Sequence, residues 1–382
     1  MSPSNQNERL LEGEEGDSAQ HSELRHSLLE WFDAHKRDLP WRHVDDPYAV
    51  WVSEMMLQQT QVTTVVDYFE RWMARFPDVE ELADAPVEEV LELWSGLGYY
   101  RRARYVHRAA QRIVKEYNAE VPSTVAQLRE LPGIGPYTAG AIASIAFGKR
   151  EPVVDGNVMR VISRLYAIEG DPRRAPAKEA IWKRAAEVVD PDRPGDFNQG
   201  LMELGSLVCT TGTPKCTICP VRQWCKGEAM GDPGQFPTPK KRRAPEPMRA
   251  RCCVVHRRGE DGREFLLRRR PEGGLLGGLW EFPSCEREGK TWPKASLLER
   301  RIGEPIEVDG PQIKLERALG TVEHIFSHRR LKMRIHDLAV EHRRCGGHDD
   351  QWRWVAAEEL SQVASAALLK KIETLWRAKS QR

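Results

Sequence analysis

From Leu24 to about Cys225, apolar residues return at helical spacing in one segment after another, and few stretches alternate as strands do. "LRHSLLEWFDAHK" sets Leu24, Leu28, Leu29 and Phe32 along one stripe. "AVWVSEMMLQQTQVTTVVDYFERWMARF", "PVEEVLELWSG", "RARYVHRAAQRIVKEY", "GPYTAGAIASIAF", "GNVMRVISRLYAI" and "AKEAIWKRAAEVV" keep the same period. Pro47, Pro86, Pro132 and Pro152 punctuate the run, since proline lacks the N–H a helix interior needs. Stripes of this kind bury themselves helix against helix, so residues 24–225 are expected to form an all-α domain.

The pattern then changes. Residues 226–248 include "GDPGQFPTPKKRRAPEP", which has no apolar period and reads as a linker. "RARCCVVHRR", "REFLLRRR", "GLWEFP", "HRRLKMRIHDLAVEH" and "QWRWV" are short β-type runs, followed by a helical ending. Residues 249–382 are therefore expected to form an α+β domain. At the other end, residues 1–23 hold Glu8, Glu12, Glu14, Glu15 and Asp17 with little apolar content, and read as a disordered acidic tail.

The net charge of +1 makes no global case for a polyanionic partner, although a basic face can exist on a neutral chain. Local runs lie at residues 99–108 and 240–243. No run of eighteen apolar residues and no leader segment is present, so a membrane partner is not expected. Eight cysteines, half of them clustered, do not resemble a disulfide framework, and a reducing, cytoplasmic setting is expected.

Cys209, Cys216, Cys219 and Cys225 are separated by six, two and five residues. Four thiolates so spaced suit tetrahedral zinc or an iron–sulfur cubane, and spacing alone leaves the metal open. "LPGIGPYTAGAIASIAFG" turns through Gly133 and Gly135 into an Ala-rich helix. Such a turn is either a packed corner or an anion site, where helix N–H groups face a phosphate. Asp155 stands before Gly156 and Asn157 at the start of a helix, where it would cap free N–H groups and stay ionised. Glu54 sits among Met55, Met56 and Leu57, on a face with Val50 and Gln61, so burial should raise its pKa and let it hold a proton. A protonated acid, an ionised acid and a phosphate grip together suggest scission of a bond in a nucleic acid.

With these residues in view, the chain resembles the helix–hairpin–helix base-excision glycosylases of the endonuclease III superfamily. "LPWR", "SEMMLQQTQV", "GLGYYRRAR", "FNQGLMELG" and "FSH" are similar to its adenine DNA glycosylase branch, MutY. The resemblance covers nearly the whole chain from about Leu24. It implies an enzyme that binds double-stranded DNA carrying adenine mispaired with 8-oxoguanine or guanine, flips the adenine and hydrolyses its N-glycosidic bond. It implies further that the four cysteines hold a [4Fe–4S] cluster in an iron–sulfur loop. Glu54 would protonate adenine, Asp155 would stabilise the cationic sugar, and Asn157 and Tyr137 would place those two acids. Gln59 and Tyr99 would enter the duplex, Trp41 and Arg42 would flank the adenine, and Gly133 and Gly135 would meet the DNA backbone.

The second domain resembles a Nudix fold, with Ser327 and His328 reading 8-oxoguanine and with Trp280 and Phe282 in its core. The paired glutamates of a Nudix hydrolase are missing from "PKASLLERRIGEPIEV", which argues against phosphohydrolysis. Tyr137 stands where bifunctional relatives carry lysine, so no Schiff base can form there and a monofunctional enzyme is expected. Gln199 replaces a glutamate that some relatives carry near the adenine, and it keeps hydrogen bonding without charge. The enzyme is expected to act as a monomer.

Overall fold

The computed structural model describes residues 4–44, 46–238, 244–259, 262–271, 276–303, 313–316, 318–326, 328–340, 351–361 and 363–380. In chain order its helices are α1 (Ser4–His35), α2 (Pro47–Leu57), α3 (Val62–Arg75), α4 (Val79–Asp84), α5 (Val87–Leu93), α6 (Arg101–Tyr117) and α7 (Val125–Leu128). Then come α8 (Pro136–Ile145), α9 (Gly156–Leu165), α10 (Ala177–Val188), α11 (Pro194–Leu207), α12 (Lys226–Ala229), α13 (Ala295–Gly303) and α14 (Ala367–Ser380). The strands are β1 (Glu246–Arg258), β2 (Arg263–Arg269), β3 (Trp280–Glu281), β4 (Ser284–Glu288), β5 (Gly320–Ile325), β6 (Arg329–Ala339) and β7 (Trp352–Ala356). The chain divides into two units, Met1–Asp84 with Tyr105–Lys241, and Ala85–Arg104 with Arg242–Arg382.

The first unit is helical. Leu24 and Leu28 of α1 pack with Val158 and Ile162 of α9, Ile181 of α10, and Phe197 and Leu201 of α11. α8 is buried from Thr138 to Ser144, as an Ala-rich helix without a polar face must be. Gly140 makes that position possible, because a Cβ there would stand 2.4 Å from the Pro152 carbonyl. The segment leading to Asp155 therefore runs directly against α8.

Several expectations about boundaries change. The helix expected to run through Glu54 and Gln61 breaks after Leu57 and restarts at Val62, so Gln61 does not share the Glu54 face. Gln59, at the break, has a φ of 58°, which a continuous helix cannot contain. The acidic segment expected to be disordered is helical from Ser4, a run with good helix formers such as Glu, Leu and Gln, and packing begins at Leu24. The expected linker packs as far as Thr238. Buried Phe236 accepts from Arg164 Nε through its carbonyl at 3.1 Å, and Thr238 exchanges two hydrogen bonds with Gly170.

Among the described residues the second unit holds a seven-stranded sheet of order β3-β2-β1-β6-β5, with β4 also paired to β1 and β7 to β2. β1 and β6 run parallel, and the other pairs are antiparallel. Alternation divides β1 between two cores. Met248, Ala250, Cys252 and Val254 face the cluster containing Leu369, Ile372 and Trp376 of α14. Cys253 and Val255 face Leu298 and Ile302 of α13. Phe282 is buried in the α14 cluster and Trp280 packs against it, in line with the core role read for both.

Residues 85–104, expected in the all-α domain, belong to this unit. Tyr100 Oη donates to the Ser365 carbonyl at 2.8 Å, Ser95 Oγ reaches the same carbonyl at 3.1 Å, and Arg269 pairs with Glu88 at 2.7 Å. Among the described residues no helix is long and apolar enough to cross a membrane.

Candidate active site

A cleft of about 660 Å³ in the first unit brings together Arg42, Glu54, Tyr137, Asp155, Asn157 and Gln199, with Trp41 in its wall. They come from four helices and one turn, spread along the sequence from Trp41 to Gln199. Trp41 and Arg42 lie on a 3₁₀ turn, and Trp41 is wedged edge-on against Phe69. Glu54 is on α2, Tyr137 enters α8, Asp155 caps α9, and Gln199 faces inward from α11.

Glu54 is buried on the apolar α2, and the Tyr137 hydroxyl donates to its Oε2. Burial pushes the Glu54 pKa up to about 7, nearby Asp155 adds to the rise, and the Tyr137 hydrogen bond and Arg42 oppose it. The expected protonatable carboxyl is present. Burial, together with Glu54 and Asp155, holds the Tyr137 phenol neutral and therefore a donor.

Asp155 caps α9 through Oδ1, which accepts from the Val158 amide at 2.7 Å, while Oδ2 accepts from Asn157 Nδ2 at 2.9 Å. Capping, expected to keep this carboxyl ionised, is opposed by burial. Burial raises its pKa, and the amides of Val158 and Asn157, the Asn157 side chain and Arg160 pull against that rise. Arg160 extends the chain of contacts, donating to Asn157 Oδ1 at 2.9 Å and to the Gly205 carbonyl at 2.6 Å.

The structure also shows partners that the sequence reading missed. Glu203 is buried and accepts Arg37 Nε and Nη2 at 2.7 and 2.8 Å and Arg42 Nη2 at 3.3 Å. These cations hold its carboxyl below the usual range in spite of burial. Arg42 also donates to Gln199 Oε1 at 3.0 Å and to the Arg37 carbonyl at 2.8 Å, so its guanidinium has one orientation in the cleft. The signal for Glu203 was its position four residues after Gln199, amid Leu201, Met202 and Leu204. Buried Asn198 ties the Val153 amide to Ser144 and Glu151, which fixes the approach to Asp155.

The hairpin joins α7 to α8. Gly133 has a φ of 81°, and a Cβ there would stand 2.5 Å from Tyr105 Cβ, so only glycine fits. Gly135 caps α8 and faces open space. Gln59 and Tyr99 are both exposed, with φ values of 58° and 49°. His328 is exposed and its carbonyl accepts the Glu246 amide at 2.9 Å. Ser327 and the basic run at 240–243 lie outside the described residues.

The expected iron–sulfur loop and its [4Fe–4S] cluster are corrected. Cys209, Cys216, Cys219 and Cys225 line one small cavity with Arg164, yet among the described residues no group of three or more His, Cys, Asp or Glu could hold a metal ion. Two of the sulfurs are engaged elsewhere. Cys209 Sγ accepts from Arg164 Nη1 at 3.3 Å and Cys225 Sγ donates to the Arg164 carbonyl at 3.5 Å. Burial pushes the Cys219 thiol up to about 12 and raises Cys216 and Cys225.

Known proteins frame these observations. The family model described as "HhH-GPD superfamily base excision DNA repair protein" matches residues 52–187, and the NUDIX domain model matches residues 252–374. The adenine DNA glycosylase of Mus musculus is 41% identical over 93% of this chain and 78% of its own length. That of Homo sapiens is 40% identical over 93% of this chain and 74% of its own. A solved thermostable thymine-DNA glycosylase is 27% identical, with a TM-score of 0.51, over 56% of this chain and 98% of that one. With a helical hairpin unit, a Nudix-like unit and identity of this extent on both sides of their join, the chain belongs to the adenine DNA glycosylase family, hydrolases of DNA base excision repair.

Proposed function

We propose that the chain is a monofunctional, monomeric adenine DNA glycosylase of the cytoplasm. It would hydrolyse the N-glycosidic bond of adenine opposite 8-oxoguanine or guanine in duplex DNA. The observation that carries this reading is the Glu54 carboxyl, titrating about 7 under the Tyr137 hydroxyl, in one cleft with Asp155.

Adenine leaves poorly as an anion. Glu54, largely protonated below pH 7, gives its proton to a ring nitrogen of the flipped base as the C–N bond breaks, and the bonding electrons leave with the neutral base. Positive charge then grows on the sugar. The Asp155 carboxylate balances it, held in place by Val158 and Asn157, with Arg160 behind Asn157. Water completes the hydrolysis. Two carboxyls in one cleft, one buried with its pKa raised to about 7 and the other capped by an amide and hydrogen-bonded to Asn157, divide the work.

Arg42 and Trp41 bound the base, with Gln199 beside them. The hairpin at Gly133 and Gly135 takes a backbone phosphate. Gln59 and Tyr99 offset the cost of unstacking, a few kcal/mol. Ser327 and His328 carry the choice of 8-oxoguanine. Tyr137, a phenol rather than an amine, forms no Schiff base, so the strand stays intact.

Single-turnover excision from duplexes containing A:8-oxoG, A:G and C:G tests this reading. Adenine is expected to be released from the first two, with no borohydride-trappable adduct. Glu54→Gln should bind the duplex and excise at least roughly 10²-fold more slowly. Near wild-type excision by that variant would remove Glu54 from the mechanism.

A further inference from the structure

One face of the sheet in the second unit carries a charge pattern that the fold does not need. Beyond the part of β1 covered by α13, the same face presents Arg249 and Arg251. Strand register sets Arg249 opposite Arg287 of β4 and Lys332 of β6, and Arg251 opposite Arg334 of β6. Arg330 follows on the same side of β6. Like charges directly opposite one another across strands destabilise a sheet, so this arrangement lowers stability unless an anion sits on it.

Arg251 is spent on the protein, donating to the Pro293 carbonyl at 2.8 Å and lying 3.2 Å from His336 Nε2, whereas Arg334 and Arg249 are presented by stacking. The Arg334 guanidinium lies 4.0 Å from the Trp292 ring centroid, and Arg249 lies 5.6 Å from it. Stacking holds a guanidinium flat while leaving its N–H edge for an acceptor. Among the described residues Arg334 pairs with no carboxylate. Glu323 is engaged by Lys332 at 3.0 Å. A concave space of about 500 Å³ opens beside Arg251 and Arg334.

We propose that this face, from Arg330 and Arg249 to Arg334 with Trp292 between, binds the phosphate backbone of duplex DNA. The inference rests on the reading that the chain acts on a DNA duplex, and adds a surface of the second unit to that task. A polyanion is the occupant that opposed rows of cations fit, and a duplex supplies phosphates along its whole length. Such contacts position the protein without reading sequence.

The test is equilibrium binding of the full-length protein to a mispaired and a fully paired duplex across a series of KCl concentrations. Neutralising three cations in Arg249→Gln/Arg287→Gln/Arg334→Gln should lower the slope of log affinity against log salt by roughly 2–3, at about 0.9 per phosphate contact. Both duplexes should be affected alike. The corresponding lysine triple variant should recover most of the slope, because it keeps the charge. Should the glutamine triple variant fold poorly, the exposed single change Arg287→Glu decides, and it should weaken binding to both duplexes. An unchanged slope in the triple variant, or unchanged binding by Arg287→Glu, with wild-type protein still excising adenine, overturns the surface alone. Wild-type protein that neither binds the duplex nor excises adenine overturns the underlying reading instead.

Discussion

At the scale of single residues, Glu54 is held in a state that costs stability at neutral pH and above. Its carboxyl titrates about 7 in the fold against an ordinary value of 4.5. Below pH 4.5 it is protonated in folded and unfolded chains alike. As pH rises through 7 the folded chain must ionise a buried acid that the unfolded chain has already ionised in water. Stability is thus lost across that window, by on the order of 3 kcal/mol at pH 8. Glu54→Gln should therefore stabilise the protein at pH 8 relative to wild type and gain less at pH 5, which chemical denaturation at the two pH values would measure. Tyr137 tests the same state through catalysis. Its hydrogen bond lowers the Glu54 pKa, so Tyr137→Phe should move the alkaline limb of the single-turnover rate to higher pH while lowering the maximum rate. A limb displaced to lower pH would mean that Tyr137 does not act on the charged form of Glu54.

At the scale of elements, the turns set which side chains stand exposed. The loop from Trp94 to Tyr100 leaves Tyr99 exposed at a φ of 49°, and Arg102 reaches back from α6 to hold it. Arg102 Nη2 donates to the carbonyls of Leu97 and Gly98 at 3.3 and 3.1 Å, and its guanidinium lies 5.1 Å from the Trp94 ring and 5.5 Å from that of Tyr99. Burial pulls its pKa down to about 10, so this placement is costly. Arg102→Lys keeps the charge and loses the planar fork. It should cost about 1–3 kcal/mol through the two carbonyls and reduce flipping of a 2-aminopurine reporter in the duplex. Unchanged melting and unchanged fluorescence would release Arg102 from that role. The elements also show what periodicity conveys. α1 from Leu24, α8, α9 and α10 were legible because apolar stripes of ten or more residues have few ways to be buried. Asp155 was legible as a cap from its place before Gly156. The break at residues 58–61 was not, because "QQTQ" contains neither glycine nor proline and the φ at Gln59 is imposed by its surroundings. Glu203 was hidden for a related reason, since a buried acid shows only when the arginines that neutralise it, 161 and 166 residues away, are seen beside it.

At the scale of the whole molecule, the two units are not the two halves that composition suggests. Residues 85–104 lie between segments of the helical unit in sequence, yet belong to the unit built on the sheet. Composition could not show this, since the contacts that recruit the segment are single hydrogen bonds across 265 and 270 residues. Tyr100 carries the longest-reaching consequence. Its buried hydroxyl accepts from the Gly96 amide at 3.1 Å and donates to the Ser365 carbonyl at 2.8 Å, and its neighbour in the chain is Tyr99. Tyr100→Phe keeps the ring, removes the partner of the Gly96 amide and leaves the Ser365 carbonyl with Ser95 Oγ alone, which costs about 1 kcal/mol. Because the loss falls on the segment that presents Tyr99, excision should weaken for A:8-oxoG and A:G in the same proportion. The ratio between the two duplexes should stay at its wild-type value, since nothing that reads the opposite base is touched. Single-turnover rates on both duplexes, measured at a temperature where the variant remains folded, check this outcome. A fall in the ratio alone would show instead that this unit holds the segment only to tell 8-oxoguanine from guanine. Equal falls would show that the sheet-bearing unit supports base removal itself, whatever stands opposite the adenine.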